Sequence, residues 1–355
     1  MFYAHFSRFL WSLFHIFAKK LVQMKKIIGI GNALVDVLVQ IDDDSLLSTL
    51  QLPKGGMIPI DEQRMRELRQ HMQALNPHRA TGGSASNTML ALANLGTQPG
   101  YIGKIGRDET GSFFAETFRQ LGIQTQLSLC DTPSGVANTF ISADGERTFG
   151  TYLGAAALMQ ADEITAELFR GYDLLYIEGY LILNRELIEK ICKTAKEEGL
   201  KLCIDLGSYN MVQANRPLFR HLIKEYIDIV FANEEECAAL TEETDAKEGM
   251  RRIAQLCKLA IVKLGGKGAM AMWGASSDQY GTEAYTPTSK VNVVDTTGAG
   301  DFFSGGFLYG FCQGASLEQC LKMGDLVASN VIQVIGTRLS DKTWEKIRSS
   351  IKELY

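Results

Sequence analysis

The stretch Val294-Asp295-Thr296-Thr297-Gly298-Ala299-Gly300-Asp301-Phe302-Phe303-Ser304-Gly305-Gly306 decides the reading of this chain, because it places a carboxylate directly after a small-residue loop that opens a helix. Gly298, Ala299 and Gly300 let the backbone come close to an anion, and the first turn of the following helix has amide N–H groups without intrahelical partners. The aligned peptide dipoles favour negative charge at that end. Asp301, at the mouth of this positive potential, is placed to accept a proton from a hydroxyl. A carboxylate beside an anion cradle suits phosphoryl transfer to an alcohol. Taken alone, Gly-Ala-Gly-Asp is more often a helix cap, and Gly305 and Gly306 read equally well as close-packing positions.

With 355 residues and 46% hydrophobic composition, the chain suits one large α/β domain with an elaboration better than several small domains. A net charge of −5 and scattered Lys and Arg residues leave no basic footprint for nucleic acid. Seven cysteines, odd in number and without a Cys-x-x-Cys pair, point to a reduced, cytoplasmic compartment and to thiols used as small buried hydrophobes. Residues 1–23 are rich in aromatic and aliphatic side chains, with Arg8, Lys19 and Lys20 their only formal side-chain charges. The apolar run from Phe9 to Ala18 is interrupted by Ser12 and His15 and is shorter than the roughly 20 residues of a spanning helix. No small-x-small cleavage site follows it. Residues 1–23 therefore read as an extension, from a misassigned start or as a disordered or interfacial tail, ahead of a folded domain over residues 24–355, with no membrane span expected.

Strand-like runs at Leu174–Ile177, Lys201–Asp205, Ile227–Ala232 and Leu259–Leu264 alternate with helical segments at Arg185–Glu198, Pro217–Tyr226, Glu235–Leu240 and Lys247–Cys257. That rhythm predicts an α/β fold with a parallel sheet and helices on both faces. Gly268–Met272 and Thr282–Tyr285 predict an edge hairpin, and Gly300–Cys312, Leu317–Gln333 and Trp344–Leu354 predict C-terminal helices. Short alternating segments around Thr125–Cys130, Ala137–Ser142 and Thr148–Tyr152 predict a small antiparallel sheet. Together with the segment near 36–60, the interval 99–152 is expected to build a lid inserted into one domain.

The thirteen-residue stretch resembles the C-terminal signature of the PfkB, or ribokinase-like, carbohydrate kinases, which move the γ-phosphate of ATP to an alcohol of a sugar or nucleoside. The resemblance implies a three-layer α/β/α sandwich with a mostly parallel central sheet and a small β-sheet lid, spanning residues 25 to 350. It makes Asp301 the general base and the amides of Gly298, Ala299 and Gly300 the stabilisers of the transferring phosphoryl group. Four further motifs stand in family order. Asn32-Ala33-Leu34-Val35-Asp36, otherwise a turn Asn and a solvated strand Asp, implies substrate contacts from Asn32 and Asp36, whose carboxylate suits vicinal hydroxyls. Thr81-Gly82-Gly83-Ser84-Ala85-Ser86-Asn87, otherwise a turn before a Ser-capped helix, implies substrate contacts from Gly82, Gly83 and Asn87. Asn233-Glu234-Glu235-Glu236 matches an Asn-x-x-Glu element, with Asn233 near ATP and Glu236 near Mg²⁺, directly or through water; a capped helix with an acidic first turn is the competing reading. Lys263-Leu264-Gly265-Gly266-Lys267-Gly268 is not a Walker A loop, but in the family it borders ATP, so Lys263, Gly265 and Gly268 are expected there, with Thr297 and Asn330. A monovalent cation is a further option within the family. The edge of a lid sheet allows a homodimer without demanding one.

Arg147 stands at a hairpin edge, where pairing with Glu146 competes with reaching a phosphate. Gly31-Asn32-Ala33-Leu34-Val35-Asp36 and Arg147-Thr148-Phe149-Gly150-Thr151-Tyr152-Leu153-Gly154-Ala155 look most like the adenosine-kinase-like branch, whose members phosphorylate a nucleoside 5′-hydroxyl. Asp205-Leu206-Gly207 departs from the Asp-x-Asn of many sugar-kinase relatives and weakens a free-sugar specificity. The alternatives are a kinase of ribose, fructose or 2-keto-3-deoxygluconate, and a non-catalytic nucleoside or sugar sensor. A dinucleotide oxidoreductase is disfavoured because Gly29-x-Gly31 lacks the third glycine.

Overall fold

Strands whose successive residues are all apolar need cover on both faces, and this chain supplies it with two sets of helices. The structure, a computed structural model, describes residues 26–355; the extension expected over residues 1–23 lies outside the described residues. In chain order the first half contains β1 (Ile27–Ile30), β2 (Leu34–Gln40), α1 (Ser45–Thr49), β3 (Met57–Pro59), α2 (Glu62–Gln73), β4 (His78–Gly82), α3 (Ser84–Asn94), β5 (Gly100–Gly106), α4 (Glu109–Gln120), β6 (Gln124–Cys130), β7 (Gly135–Ile141) and β8 (Arg147–Tyr152). The second half contains β9 (Leu174–Glu178), α5 (Arg185–Glu197), β10 (Lys201–Asp205), α6 (Tyr209–Glu225), β11 (Ile229–Asn233), α7 (Glu234–Thr241), α8 (Ala246–Ala254), β12 (Leu259–Lys263), β13 (Ala269–Trp273), β14 (Glu283–Thr286), α9 (Ala299–Cys312), α10 (Leu317–Val331) and α11 (Asp341–Glu353).

The large sheet runs β14-β13-β12-β11-β10-β9-β1-β5-β6, parallel from β12 to β6 and antiparallel across β12, β13 and β14. Side-chain alternation divides its core. Ile28, Leu175, Ile177, Ile204, Val230 and Val262 pack with Ile188, Phe219, Leu240 and Ile253 of α5 to α8. Tyr101, Tyr176, Cys203, Phe231 and Ile261 face the other way, with Met89 of α3 and Phe303 and Phe307 of α9. On that side Phe231 and Phe307 meet edge to face at 5.4 Å. Trp344 of α11 joins Ala91, Phe302 and Val327 in an outer cluster.

Helix α9 is squeezed between α3 and α10, and here its glycines are required. A Cβ on Gly305 would lie 2.6 Å from that of Ala91, and one on Gly306 would lie 2.5 Å from the Met323 carbonyl oxygen. Close packing is therefore part of what the glycines after Asp301 do.

The small sheet runs β3-β8-β7-β2-β4. Its expected composition needs correction, because the interval 99–152 is divided between the two sheets. β6 pairs in parallel with β5 over seven residues, Gly100↔Gln124 to Gly106↔Cys130, with α4 as the crossover. The polar alternation of Thr125 to Cys130 reflects a large-sheet edge strand rather than a separate sheet. The small sheet is also mixed rather than antiparallel, since β2 pairs in parallel with β7 and β3 with β8. The chain returns to it at 131–134, where Asp108, the cap of α4, also accepts from the Ser134 backbone N–H at 2.8 Å and from its hydroxyl at 2.7 Å.

Helix α6 begins earlier than the expected Pro217, because Ser208 caps a first segment and the chain kinks at Asn215 (φ −121°) before the proline. Among the described residues no helix is long and apolar enough to cross a membrane. Six cysteines are buried and Cys130 is partly exposed.

Truncating Phe307 to Ala removes a ring packed against both Phe231 and Phe303. We expect a loss of about 3–5 kcal/mol, read as a lower urea midpoint with an unchanged slope.

Candidate active site

Parallel strands carry ligands at their carboxyl ends, and four of these end in polar residues: β9 in Glu178, β10 in Asp205, β11 in Asn233 and β12 in Lys263. The loop before α9 supplies the anion cradle beside them. Gly298 adopts φ +73° as the residue preceding the helix, and no side chain caps its end. A Cβ there would meet Thr337 Cγ2 at 2.8 Å. The Ala299 N–H is spent on the Thr296 carbonyl at 3.2 Å. The N–H groups of Gly298, Gly300 and Asp301 have no acceptor among the described residues. Sequence reading gave the amide role to Gly298, Ala299 and Gly300; by geometry the available amides belong to Gly298, Gly300 and Asp301.

Asp301 lies in the first turn of α9, half-buried, with Oδ1 accepting from Ser84 Oγ at 2.6 Å and Oδ2 from Asn87 Nδ2 at 2.9 Å. Its backbone carbonyl accepts from Thr88 Oγ1 at 3.1 Å. The start of α3 thus holds the carboxylate from two positions and the backbone of the same residue from a third. Burial pushes its pKa up to about 7; the Ser84 and Asn87 donors pull it down, Asp205 pushes it up and Lys263 opposes that. Asn87 Oδ1 is buried and has no partner among the described residues, leaving one acceptor open to a ligand hydroxyl.

Beneath the cradle, Lys263 Nζ donates to Asp205 Oδ2 at 2.7 Å, with both side chains largely buried. A Cβ on Gly300 would stand 3.1 Å from that ammonium, so Lys263 lies against the first turn of α9. Ser304 Oγ also reaches Asp205, at 3.3 Å.

Asn233 and Glu236 form a reciprocal capping box on α7. Glu236 Oε2 accepts from the Asn233 backbone N–H at 2.8 Å, Glu236 Oε1 from Asn233 Nδ2 at 3.0 Å, and Asn233 Oδ1 from the Glu236 N–H at 2.8 Å. The capped-helix reading of this motif is therefore realised in full. Burial pushes the Glu236 carboxyl up to about 7, Asp205 adds to this and Lys263 opposes it. Among the described residues no group of three or more His, Cys, Asp or Glu side chains converges to hold a metal. Direct ligation by Glu236 would break the capping box, whereas a contact through the water shell of Mg²⁺ would leave it intact.

The acceptor-side residues form a second group. Asn32 Nδ2 donates to Glu178 Oε1 at 2.5 Å, and the other Glu178 oxygen accepts from the Ala85 N–H at 3.2 Å. Burial raises the pKa of Glu178, which clamps Asn32 and the start of α3 together. Gly83 needs its φ of +95°, and a Cβ there would lie 2.2 Å from the Asn32 carbonyl oxygen. The Asp36 side chain leans into the space beside Gly82, where a Cβ would lie 2.2 Å from Asp36 Oδ1. Burial pushes Asp36 up to about 7; Arg147 pulls it down and Asp295 pushes it up.

Arg147 does not pair with Glu146. Its Nη2 reaches Asp295 and its Nη1 donates to Thr297 Oγ1 at 3.0 Å. Gly268 adopts φ +107°, and a Cβ there would be 2.0 Å from the Thr286 carbonyl oxygen, so strand pairing with β14 demands this glycine. Gly265 is exposed and open on all sides. Asn330 bonds back to Leu326 O at 2.8 Å within α10. None of these three touches the Asp301 cluster in the contacts above. Two cavities of about 320 and 380 Å³ lie along the seam between the small sheet and residues 294–338, and Asp301 lines neither. Sequence reading missed the roles of Ser84, Glu178, Asp205 and Asp295. An acidic residue ending an apolar strand was the available signal for Glu178 and Asp205.

Residues 51–344 match the description "pfkB family carbohydrate kinase". A solved structure of a probable sugar kinase protein from Rhizobium etli superposes with a TM-score of 0.82 at 33% identity, covering 94% of this chain and 99% of that one. An adenosine kinase from Sinorhizobium meliloti gives 0.81 at 33% identity, covering 92% and 99%. A 5-dehydro-2-deoxygluconokinase from Halalkalibacterium halodurans is 28% identical over 288 residues, 77% of this chain and 85% of that protein.

Because the folded-state pKa of Asp301 is raised above its unfolded value of 3.8, its contribution to stability is greatest at low pH and is lost as pH rises through about 7. Asp301→Asn should therefore be more stable than the parent at pH 8 by about 1–2 kcal/mol, the linkage value reduced for partial solvent exposure, and show a flatter stability profile between pH 4 and 7. Urea titrations at a series of pH values would check both.

Proposed function

The chain belongs to the pfkB family of carbohydrate kinases, and from that premise we propose that it transfers the γ-phosphate of ATP to a primary hydroxyl of an adenosine-like ribofuranosyl nucleoside. The observation that carries the reading is the Asp301 carboxylate, held by Ser84 and Asn87 beside the unpaired amides of Gly298, Gly300 and Asp301. Asp36, Asn32 and the turn at Gly82 and Gly83 would hold the ribose, and Asn87 Oδ1 offers a further acceptor for a hydroxyl. The likeness to an adenosine kinase at 33% identity supports a nucleoside. A free sugar or sugar acid is the second reading, favoured by the relatedness to a 5-dehydro-2-deoxygluconokinase.

In the reaction, Asp301 takes the proton of the acceptor hydroxyl as its oxygen bonds to the γ-phosphorus; the bond to the β-phosphate oxygen breaks and its electron pair leaves with ADP. The amides of Gly298, Gly300 and Asp301 stabilise the charge on the phosphoryl oxygens, and Lys263 adds positive potential from below. Kinases of this family use ATP generally with Mg²⁺, which neutralises phosphate charge and which Glu236 would meet through water. Asn233, Thr297, Gly265, Gly268 and Asn330 remain proposed donor-side residues. The small sheet, carrying Asp36 and Arg147, acts as a lid that excludes water.

Asp301→Asn should lower kcat by about 10²–10⁴-fold while leaving ATP affinity nearly unchanged; near-normal turnover would remove Asp301 from the role. For the parent enzyme, log(kcat/KM) for the acceptor should rise with pH up to about 7 and then level off, because the base works only when ionised. Adenosine, inosine, guanosine, ribose, fructose and 2-keto-3-deoxygluconate, compared for ATP-dependent phosphorylation, would test the acceptor class. Turnover confined to the last three would sink the nucleoside reading.

A further inference from the structure

Asp325 stands in the middle of α10, where an aspartate is a poor helix former, yet it is only 8% exposed. Lys322, one turn earlier, donates to Glu318 at 2.7 Å, so an ion pair within the helix does not account for the carboxylate. Its donors come from the loop that follows β14. Oδ1 accepts from Thr288 Oγ1 at 2.6 Å, and Oδ2 accepts from Ser289 Oγ at 2.7 Å and from the Ser289 N–H at 3.1 Å. Further along the same loop, the N–H groups of Val294 and Asp295 both reach the Ile332 carbonyl, just past the end of α10, at 2.7 and 3.1 Å. The loop is therefore strapped to one helix at two points about 10 Å apart along its axis, with Asn330 between them.

The strap lies at the ligand end of the large sheet. Since β13 is antiparallel to β12 and β14 to β13, β14 runs with the parallel strands, and its last residue, Thr286, pairs with Ala269 beside the carboxyl end of β12. The chain leaving Thr286 passes along α10 and runs on into the Gly298–Asp301 cradle. On the same strand end, the Tyr285 hydroxyl donates to the Lys267 carbonyl at 2.6 Å and ties down the turn at Gly265–Lys267. The acceptor-side residues gather instead at the end of β1, several strands away across the sheet, with the cradle between the two groups. In-line transfer sends the leaving diphosphate away from the attacking hydroxyl, which directs the nucleoside part of the donor towards the turn, the strapped loop and α10.

We propose that Asp325 is a positioning residue for the phosphate donor: by holding Thr288 and Ser289 down on α10, it fixes the gap between loop and helix against which the donor's nucleoside packs, and so sets donor affinity. This rests on the reading of Gly298–Asp301 as the transfer site. A carboxylate suits the task because each oxygen accepts, one from each loop residue. Its removal frees the loop after Thr286, while the second strap at Ile332 still holds the entry to the cradle. Donor binding suffers and the chemical step does not.

The test uses the full chain with Asp325→Ala, Asp325→Asn, the loop variant Thr288→Val with Ser289→Ala, and the three changes Asp325→Ala, Thr288→Val and Ser289→Ala together. Binding of magnesium-ADP, measured by calorimetry without acceptor, should weaken about 5–20-fold in Asp325→Ala, the worth of one or two hydrogen bonds, and by less in Asp325→Asn, which keeps one accepting oxygen. The loop variant should lose about as much as Asp325→Ala, and the triple variant no more than the poorer of the two, since both open one strap. With adenosine as acceptor, KM for ATP should rise by a similar factor while kcat and KM for adenosine stay within about threefold of the parent. If Asp325→Ala or the loop variant does not fold, Asp325→Asn carries the comparison. A carboxylate that serves only the fold would lower the urea midpoint and leave ADP binding by the folded protein as in the parent. That result, or a fall in kcat larger than the rise in KM for ATP, overturns the proposal. A parent that binds no ADP sinks the phosphotransfer reading and this proposal with it, whereas a parent that binds ADP no better than Asp325→Ala sinks the strap alone.

Discussion

Everything in the site hangs on a carboxylate that the protein keeps partly out of water at the positive end of a helix. Asp301 is held there by two donors from α3, and those donors are themselves placed by the packing of α3 against β1 and α9. The constraint runs outward through the fold. Gly305 and Gly306 let α9 approach α3 and α10, and Gly83 lets the chain turn into α3 under Asn32. Glu178 then ties that turn back to the large sheet. The position of one oxygen atom is thus set by backbone clearances at several distant points.

The electrostatics follow the same plan. Asp301, Glu236 and Asp36 each have a carboxyl whose ionisation burial resists, and each is offset by a neighbouring cation, Lys263 for the first two and Arg147 for the third. Such a site carries clustered negative charge with too little solvent to screen it. It is suited to groups that bring hydroxyls on one side and counter-charge on the other, which is what a polyol acceptor and a metal-bound triphosphate bring. The Lys263–Asp205 pair beneath the cradle is a fixed element of this arrangement, since both ends are buried and hydrogen-bonded.

Much of this was legible in the amino-acid sequence, for reasons that are local. The loop before α9, the βαβ rhythm from β9 to β12 and the edge hairpin at β13 and β14 all follow from patterns within a few residues, where glycine freedom, apolar periodicity and turn chemistry act. What escaped involves choices between partners. The alternation in Thr125 to Cys130 fits a lid strand as well as an edge strand, and only the seven-residue register with β5 decides. Asn233 and Glu236 satisfy each other as a capping box, so the motif does helix-end work whatever it does for a metal. Arg147 had an acidic neighbour at Glu146, and nothing in the spacing reveals that folding delivers Asp295 instead. Pro217 suggested a helix start where the chain accommodates it behind a kink.

The exposure of a single cysteine has a practical consequence. Cys130 ends β6 just before the crossing into the small sheet, while the other six thiols are sealed in the interior. A maleimide dye would therefore mark one place on the folded molecule, at the junction between the large and the small sheet, with no engineering of the remaining thiols. Its fluorescence anisotropy would report local motion at the junction of the two sheets, and the slower labelling of the hidden six would record how often the core itself breathes.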